Sequence, residues 1–399
     1  MKALEIESAV VQLAWMLLGA SIVGMLAWRV RLPYAVALLL GALVLEESHV
    51  IAVPRLDPGI LLFVLLPPLL FDAAFRLDDK ELRTVARPVL FLALPGTVAT
   101  AAIVGIVVIG LLRLPWDVAL LFGTIVAATD PVAVVAVFRS LGAPARLSVI
   151  AEAESLFNDG IAITLYTVLL GLVTAGDVNV LGGVGMFARQ VVGGVAIGGV
   201  LGVVCSRVSG MVDDHLIEMT LSTSLAYGSY LIAQSLDASG PLACVAAGLI
   251  HGSYGRQVGM SERSTRLLDD LWEYFGFVAN AIVFLLVGFS TSLASLAAVG
   301  WAVGAGIVAV LLSRVLVVFG IPPLLPRRLV TTTGAERLVL VWGGLRGALT
   351  VTLALALPVD IPERSLLIAM AFGVVLFTMV VQGITLPILV RRAGLATSP

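Results

Sequence analysis

Charge is scarce in this chain. Of its 399 residues only 13% are Asp, Glu, Lys or Arg, whereas 60% are hydrophobic. A soluble domain usually carries roughly twice that share of charged residues. The composition therefore excludes an ordinary soluble protein, and the apolar stretches that recur from end to end predict a protein with many membrane spans.

Motifs that would indicate other activities are missing as well. Both cysteines, Cys205 and Cys244, lie inside apolar segments, so a disulfide framework is not expected. No Walker sequence is present to bind a nucleotide, which argues against an ATP-driven pump. The three histidines form no HExxH motif, and no GxSxG motif stands beside a plausible base, so an intramembrane enzyme is disfavoured. The sequence predicts no resident cofactor and no nucleic-acid partner.

What the sequence does contain is a long series of apolar segments. Because hydrocarbon cannot satisfy free backbone N–H and C=O groups, these spans are predicted to be helices. The pattern predicts thirteen of them, at about residues 8–28, 33–46, 59–75, 88–112, 115–138, 147–174, 183–207, 215–236, 238–251, 271–290, 295–320, 335–357 and 365–390.

The Lys and Arg residues predict how these spans are oriented. With the N-terminus outside, seventeen of them fall in the inward connections and five in the outward ones, while Arg314 and Arg346 lie within spans. Cytoplasmic loops carry such an excess of basic residues. We therefore expect a multi-pass protein of the cell (inner) membrane with a cytoplasmic C-terminus. The whole chain, 1–399, is predicted to be one transport unit without a soluble regulatory domain.

Acidic residues inside spans are costly, so they are candidates for a functional site. In the stretch VAATDPVAVVAVFRS, residues 126–140, Asp130 is followed by Pro131. The proline removes a backbone N–H and disfavours helical geometry at the residue before it. The pattern predicts a broken helix near Thr129 and Asp130 that lines an ion site. The alternative is a simple kink, with Asp130 reaching the cytoplasmic edge near Arg139.

A second acidic segment, AEAESLFNDG, follows at residues 151–160. Ser155 and Asp159 are four residues apart and share one helix face, while Glu154 and Asn158 share the adjacent face. Hard oxygen ligands of this kind suit a small alkali cation. The alternative is a water-exposed helix start, but this explains Asp159 poorly because apolar sequence resumes directly after it.

Two further sites of helix disruption stand out. Asp72 follows the double proline in VLLPPLLFDAAF, and either a disrupted helix or a helix end near the cytoplasmic surface would explain it. Arg346 lies among three glycines in LVWGGLRGALTV, which predicts a second broken helix. Spans 88–174 and 295–390 are both three-helix units with an interrupted middle helix, which suggests an inverted repeat.

Arg314 lies in the apolar stretch LLSRVLVVFG without a charged neighbour in its own span. A buried guanidinium needs a carboxylate partner. Glu154 is the simplest candidate because it faces away from Asp159. The alternative is an arginine that extends to the inner membrane surface.

Three motifs, ATDPVAV, ESLFND and GGLRGAL, occur in this order in three of the predicted spans. Together they resemble the sodium/proton antiporters of the NhaP and NHE type. The resemblance implies an NhaA-like fold of thirteen helices in which two broken helices cross. It also implies a homodimer, a core domain from about 59–174 and 295–390 with an elevator-like movement, and a dimerisation domain from about 1–46 and 183–290.

The resemblance also assigns roles by position. The ion site would be formed by Thr129, Asp130, Ser155 and Asp159, and Asp159 would exchange Na+ for a proton. Asn158 would stand where electrogenic relatives have a second aspartate. The resemblance also pairs Glu154 with Arg314 in a supporting ion pair. It gives Asp72 and Arg346 secondary positions near the site.

The function expected from these observations is exchange of Na+ for H+, with Li+ and K+ as alternative cations, in pH and sodium homeostasis. Exchange is expected to be electroneutral at one cation per proton. A proton-coupled symporter for an organic solute is the competing hypothesis. The residues around the first break, Ala127, Ala128, Val132 and Ala133, suit a small ion better than a larger solute.

Overall fold

The computed structural model describes residues 2–30, 32–48, 61–175, 180–290, 293–320 and 332–397. Throughout these ranges the regular structure is helical and no strand occurs. The main helices are α1 Lys2–Val30, α2 Tyr34–Glu47, α3 Leu66–Arg76, α4 Asp79–Leu112, α5 Trp116–Ile125, α6 Val132–Ser140, α7 Ala145–Ala175, α8 Val180–Ser209, α9 His215–Ser235, α10 Gly240–Ile250, α11 Glu262–Phe289, α12 Leu293–Ala298, α13 Gly300–Gly320, α14 Gly334–Trp342, α15 Ala348–Leu355, α16 Arg364–Phe377 and α17 Gly383–Arg392.

Each predicted span contains helix, so the all-helical architecture is confirmed. Among the described residues, six helices are long and apolar enough to cross a membrane by length and composition. Shorter apolar helices account for other spans, and the total of thirteen crossings stays a prediction.

The two spans predicted to be broken are interrupted. The span at 115–138 consists of α5 and α6, separated by residues 126–131. The span at 335–357 consists of α14 and α15, separated by residues 343–347. Both interruptions fall on the motifs that contain Pro131 and the glycines around Arg346.

The double proline does not break its helix. A π-helical turn at Leu61–Leu65 leads into α3, and Pro67 and Pro68 lie in the first turn of α3. A first-turn residue has no intrahelical partner for its backbone N–H, so proline is tolerated there. Asp72 therefore lies on a continuous helix one turn before its end at Arg76, which fits the second of the two explanations, a helix end.

The helices pack in two sets. In the first set α4 packs along α5, α7 and α13, and α16 packs against α13 and α15. In the second set α8, α9 and α10 pack together, and α2 packs along α11. Helix α3 has extensive contacts with α10 and α11 and only slight contact with α7, although the predicted core domain includes it. The two interrupted spans lie within the first set.

Candidate ion-binding site

The two interrupted spans meet at their breaks. The backbone N–H of Asp130 donates a hydrogen bond of 2.8 Å to the carbonyl oxygen of Leu345. Backbone groups released by each break thereby find partners in the other, which makes the breaks tolerable inside a membrane. The crossing of two broken helices expected from the sequence is confirmed.

The Arg346 side chain is hydrogen-bonded to the non-helical segment that follows α5. Its Nη1 donates to the carbonyl oxygens of Ala127 at 2.5 Å and Ala128 at 2.9 Å. The side chain is fully buried. A charged donor that satisfies two carbonyl oxygens of a buried non-helical segment stabilises the break. The backbone N–H of Arg346 is held in turn by Thr378 Oγ1 at 3.1 Å.

Asp130 has the complementary position at the start of α6. Its Oδ1 accepts a hydrogen bond of 2.9 Å from the backbone N–H of Val132, so the carboxylate caps a helix N-terminus. Gly347 lies against the other carboxylate oxygen, and a Cβ at this glycine would overlap it. The close approach of the second break to Asp130 therefore requires a residue without a side chain at position 347.

Helix α7 presents Ser155 and Asp159 to the first break. Ser155 Oγ donates a short hydrogen bond of 2.5 Å to the carbonyl oxygen of Thr129, which leaves the serine lone pairs free to accept or to bind a cation. Asp159 Oδ1 is buried and has no hydrogen-bond partner among the described residues.

Asn158 is engaged with the protein on both sides of its amide. Its Nδ2 donates to the carbonyl oxygen of Ala127 at 3.1 Å and to Thr129 Oγ1 at 3.2 Å. Its Oδ1 accepts from Thr97 Oγ1 on α4 at 3.0 Å. These bonds fix the broken segment to α4 and α7, and the expected place of Asn158 at the ion site stays a prediction. Thr97 is a supporting residue that the sequence did not indicate.

Glu154 and Arg314 form an ion pair next to the site. Arg314 Nη1 contacts Glu154 Oε1, and Nη2 donates to Oε2 at 3.2 Å. Nη2 also donates to the carbonyl oxygen of Leu340 at 3.2 Å, so the pair joins α7, α13 and α14. Only 8% of the Arg314 side chain and 3% of the Glu154 side chain are exposed. The snorkelling alternative for Arg314 does not describe this buried arrangement.

A cavity of about 420 Å³ leads to the breaks. At its buried end lie Asp130, Ser155 and Asp159; its exposed end is lined by the ion pairs Arg139–Glu152 and Arg76–Glu273, with N–O distances of 2.7 Å and 3.1 Å. Carboxylates outnumber cationic groups along this path, which favours the entry of cations.

Asp72 lines the same cavity from α3. It lies 3.6 Å from Arg76, and a Cβ at Gly276 of α11 would overlap its carboxylate. The carboxylate is therefore seated against the second helix set and faces the cavity. No described group of three or more His, Cys, Asp or Glu residues has the arrangement of a transition-metal site.

Comparison with known proteins gives a consistent result. Residues 17–392 match the family described as "Sodium/hydrogen exchanger, transmembrane". The chain is 37% identical over 378 residues to the Na+/H+ antiporter NhaH of Halobacillus aidingensis, covering 91% of this chain and 93% of that protein. It is 36% identical over 371 residues to the Na+/H+ antiporter NhaP of Pseudomonas aeruginosa, covering 88% and 86%.

Among solved structures, the chain resembles the sodium proton antiporter MjNhaP1 from Methanocaldococcus jannaschii at pH 8. The TM-score is 0.79 at 21% identity, with 95% of this chain and 99% of that chain covered. At this identity the likeness establishes the fold. The family match extends over nearly the whole chain and contains all three motifs. The chain therefore belongs to the sodium/hydrogen exchanger family.

Proposed function

We propose that this protein exchanges Na+ for H+ across the cell membrane. The observation that carries the proposal is the Asp159 carboxylate, which has an unpartnered oxygen at the buried end of the cavity beside Ser155 and Asp130. The names of the relatives, Na+/H+ antiporters from several bacteria, support the same activity. Li+ and K+ are the alternative cations.

Exchange follows from competition at one carboxylate. When Asp159 is deprotonated, it binds the cation together with oxygens of Asp130, Ser155 and Thr129. When Asp159 is protonated, its charge is lost and the cation leaves. Because one carboxylate cannot hold both ligands, each passage of the site carries either a cation or a proton.

The transport movement we propose is an elevator. The two broken spans and their neighbours, α4 to α7 and α12 to α17, form the moving core, and the remaining helices form a stationary dimerisation domain in a homodimer. Since α3 packs mainly against α10 and α11, we place it with the stationary domain rather than with the core that the sequence predicted from about residue 59. Asp72 would then face the moving site from the stationary wall.

The position of the cavity indicates which side of the membrane the ion site faces in this conformation. Its exposed end carries Arg76 and Arg139, which the distribution of basic residues assigns to the cytoplasmic side. The ion site of this conformation therefore faces the cytoplasm. Arg76 and Arg139 pair with acids on their own helix sets, so the two sets can separate without breaking either pair.

The experiment that tests the function is a proteoliposome assay with an internal pH-sensitive dye. Addition of external Na+ should raise the internal pH, whereas choline should not, and Li+ and K+ additions rank the cations. An organic-solute symporter would give no Na+ response.

Stoichiometry is tested in the same vesicles with a potential imposed by K+ and valinomycin. Asn158 cannot titrate, and if Asp130 stays charged the site gains one cation for each proton lost. We therefore expect the Na+-driven rate to be independent of the imposed potential. A rate that changes systematically with the potential would mean that Asp130 or Asp72 also titrates during the cycle.

A further inference from the structure

One hydroxyl at the candidate site has no assigned role. Thr350, on α15 directly after the second break, lines the cavity that contains Asp130 and Asp159. Its side chain is completely buried, and its Oγ1 has no hydrogen-bond partner in the described part of the chain. A buried hydroxyl without a partner is costly to keep, which points to a ligand that the hydroxyl meets during the working cycle.

The hydroxyls of Thr350 and Thr352, on the same helix, differ in their hydrogen bonding. Threonine in a helix commonly donates to the carbonyl oxygen four residues earlier. Thr352, on the same helix, does so with Ala348 at 3.0 Å. Thr350 lies in the first turn of α15, where the residue four positions earlier, Arg346, precedes the helix, and it makes no bond to Arg346. The Arg346 carbonyl oxygen is approached by Thr378 Oγ1 at 3.4 Å. The Thr350 hydroxyl is therefore not committed to its own helix.

The oxygen atoms available to a cation show why this hydroxyl matters. Ser155 and Asp159 come from α7, and Asp130 precedes α6. Asp130 Oδ1 already accepts from the backbone, and Thr129 Oγ1 accepts from Asn158. A dehydrated alkali cation needs oxygen ligands to replace its lost water. Several neutral oxygens of the first break and α7 thus already accept hydrogen bonds from the protein.

We propose that Thr350 Oγ1 is a further ligand of the transported cation, contributed by the second broken helix. The inference rests on the proposed Na+/H+ exchange. It adds to that exchange a neutral oxygen that binds the cation but cannot bind the exchanged proton. Thr350 would then set cation affinity without changing the proton-binding group, and cation occupancy would bridge both broken helices.

The test compares Thr350→Val, which keeps the side-chain shape but removes the hydroxyl, with Thr350→Ser, which restores it. We expect Val to raise the KM for Na+ in proteoliposomes by about tenfold, the size of one lost neutral contact. The maximal rate should change little, and Ser should resemble the wild type. Thermal stabilisation of the purified protein by Na+ should shift to higher concentration by a similar factor in the Val variant.

Thr124→Val is the matched control, because Thr124 is equally buried, bonds to the Leu121 carbonyl oxygen in its own helix and does not line the cavity. If Thr350→Val fails to fold, Thr350→Ala provides a second variant without the hydroxyl. An unchanged KM and an unchanged Na+ dependence of stability in the folded variant, with active wild type, would overturn the assignment, as would equal shifts in the Thr350 and Thr124 variants. Absence of Na+-driven exchange in the wild type would instead overturn the proposed function itself, and the assignment with it.

Discussion

Replacing Asp159 by Asn is expected to abolish Na+-driven proton movement. The substitution keeps the size of the side chain but removes the only group of the proposed site that we assign to the exchanged proton. The amide cannot carry a proton through the cycle, and it does not supply the negative charge that binds the cation. The internal dye should therefore show no alkalinisation when Na+ is added, although the protein still inserts and purifies like the wild type.

A second variant in the site and a control variant outside it accompany Asp159→Asn. Asp130→Asn should also be severely impaired, because it removes charge at the start of α6 in the same site. Asp117→Asn is a matched control: it makes the same chemical change at the far end of α5, and Asp117 does not line the described cavity. Dye responses of wild-type size in Asp159→Asn would refute the role of Asp159.

Separating Glu154 from Arg314 should cost a large part of the protein's stability. Removing one partner of a buried ion pair leaves an uncompensated charge and typically costs about 3–5 kcal/mol. We therefore expect a marked fall in thermal stability for both Glu154→Gln and Arg314→Met. The near-complete burial of both side chains and the additional bond to Leu340 make this pair a strong case.

The double variant Glu154→Gln with Arg314→Met distinguishes pairing from general damage. With neither charge left in the interior, part of the stability lost in the single variants should return. Thermal unfolding of all four proteins in the same detergent measures this. Losses that simply add would contradict an energetic coupling between the two residues.

The breaks could be predicted because their causes are local. Pro131 removes a backbone donor, and the glycines around Arg346 weaken a helix by themselves. The extent of the first break could not be predicted. The sequence placed it near Thr129 and Asp130, whereas α5 already ends at Ile125. The carbonyl groups exposed there are held by Arg346, which is 218 residues from Ala128 in the chain.

The supporting residues of the site escaped prediction for a related reason. Thr97, Thr350 and Thr378 each lie in an apolar stretch, and Thr97 and Thr378 also bond to carbonyl oxygens of their own helices, as helical threonines commonly do. Their roles depend on what the opposing helix presents. The acids were easier to find, because a carboxylate in an apolar span always requires an explanation.

The packing of α3 could not be predicted from the sequence. Helix α3 adjoins α4 in the chain, separated only by residues 77–78, and the family resemblance includes it in the core domain. Its packing is decided by close contacts to the other set. For example, a Cβ at Gly248 of α10 would meet Ala74, and one at Gly276 of α11 would meet Asp72. Such contacts emerge only when the helices are assembled.

The most direct test of shared binding at Asp159 is the KM for Na+ as a function of pH. Na+ uptake into proteoliposomes would be measured at equal pH on both sides, over a series of pH values. If protons and Na+ compete for one carboxylate, the KM should rise as the pH falls, by up to about tenfold per pH unit, while the maximal rate changes much less. A KM that stays constant across this range would show that Na+ binding involves no titrating carboxylate and would contradict exchange at Asp159.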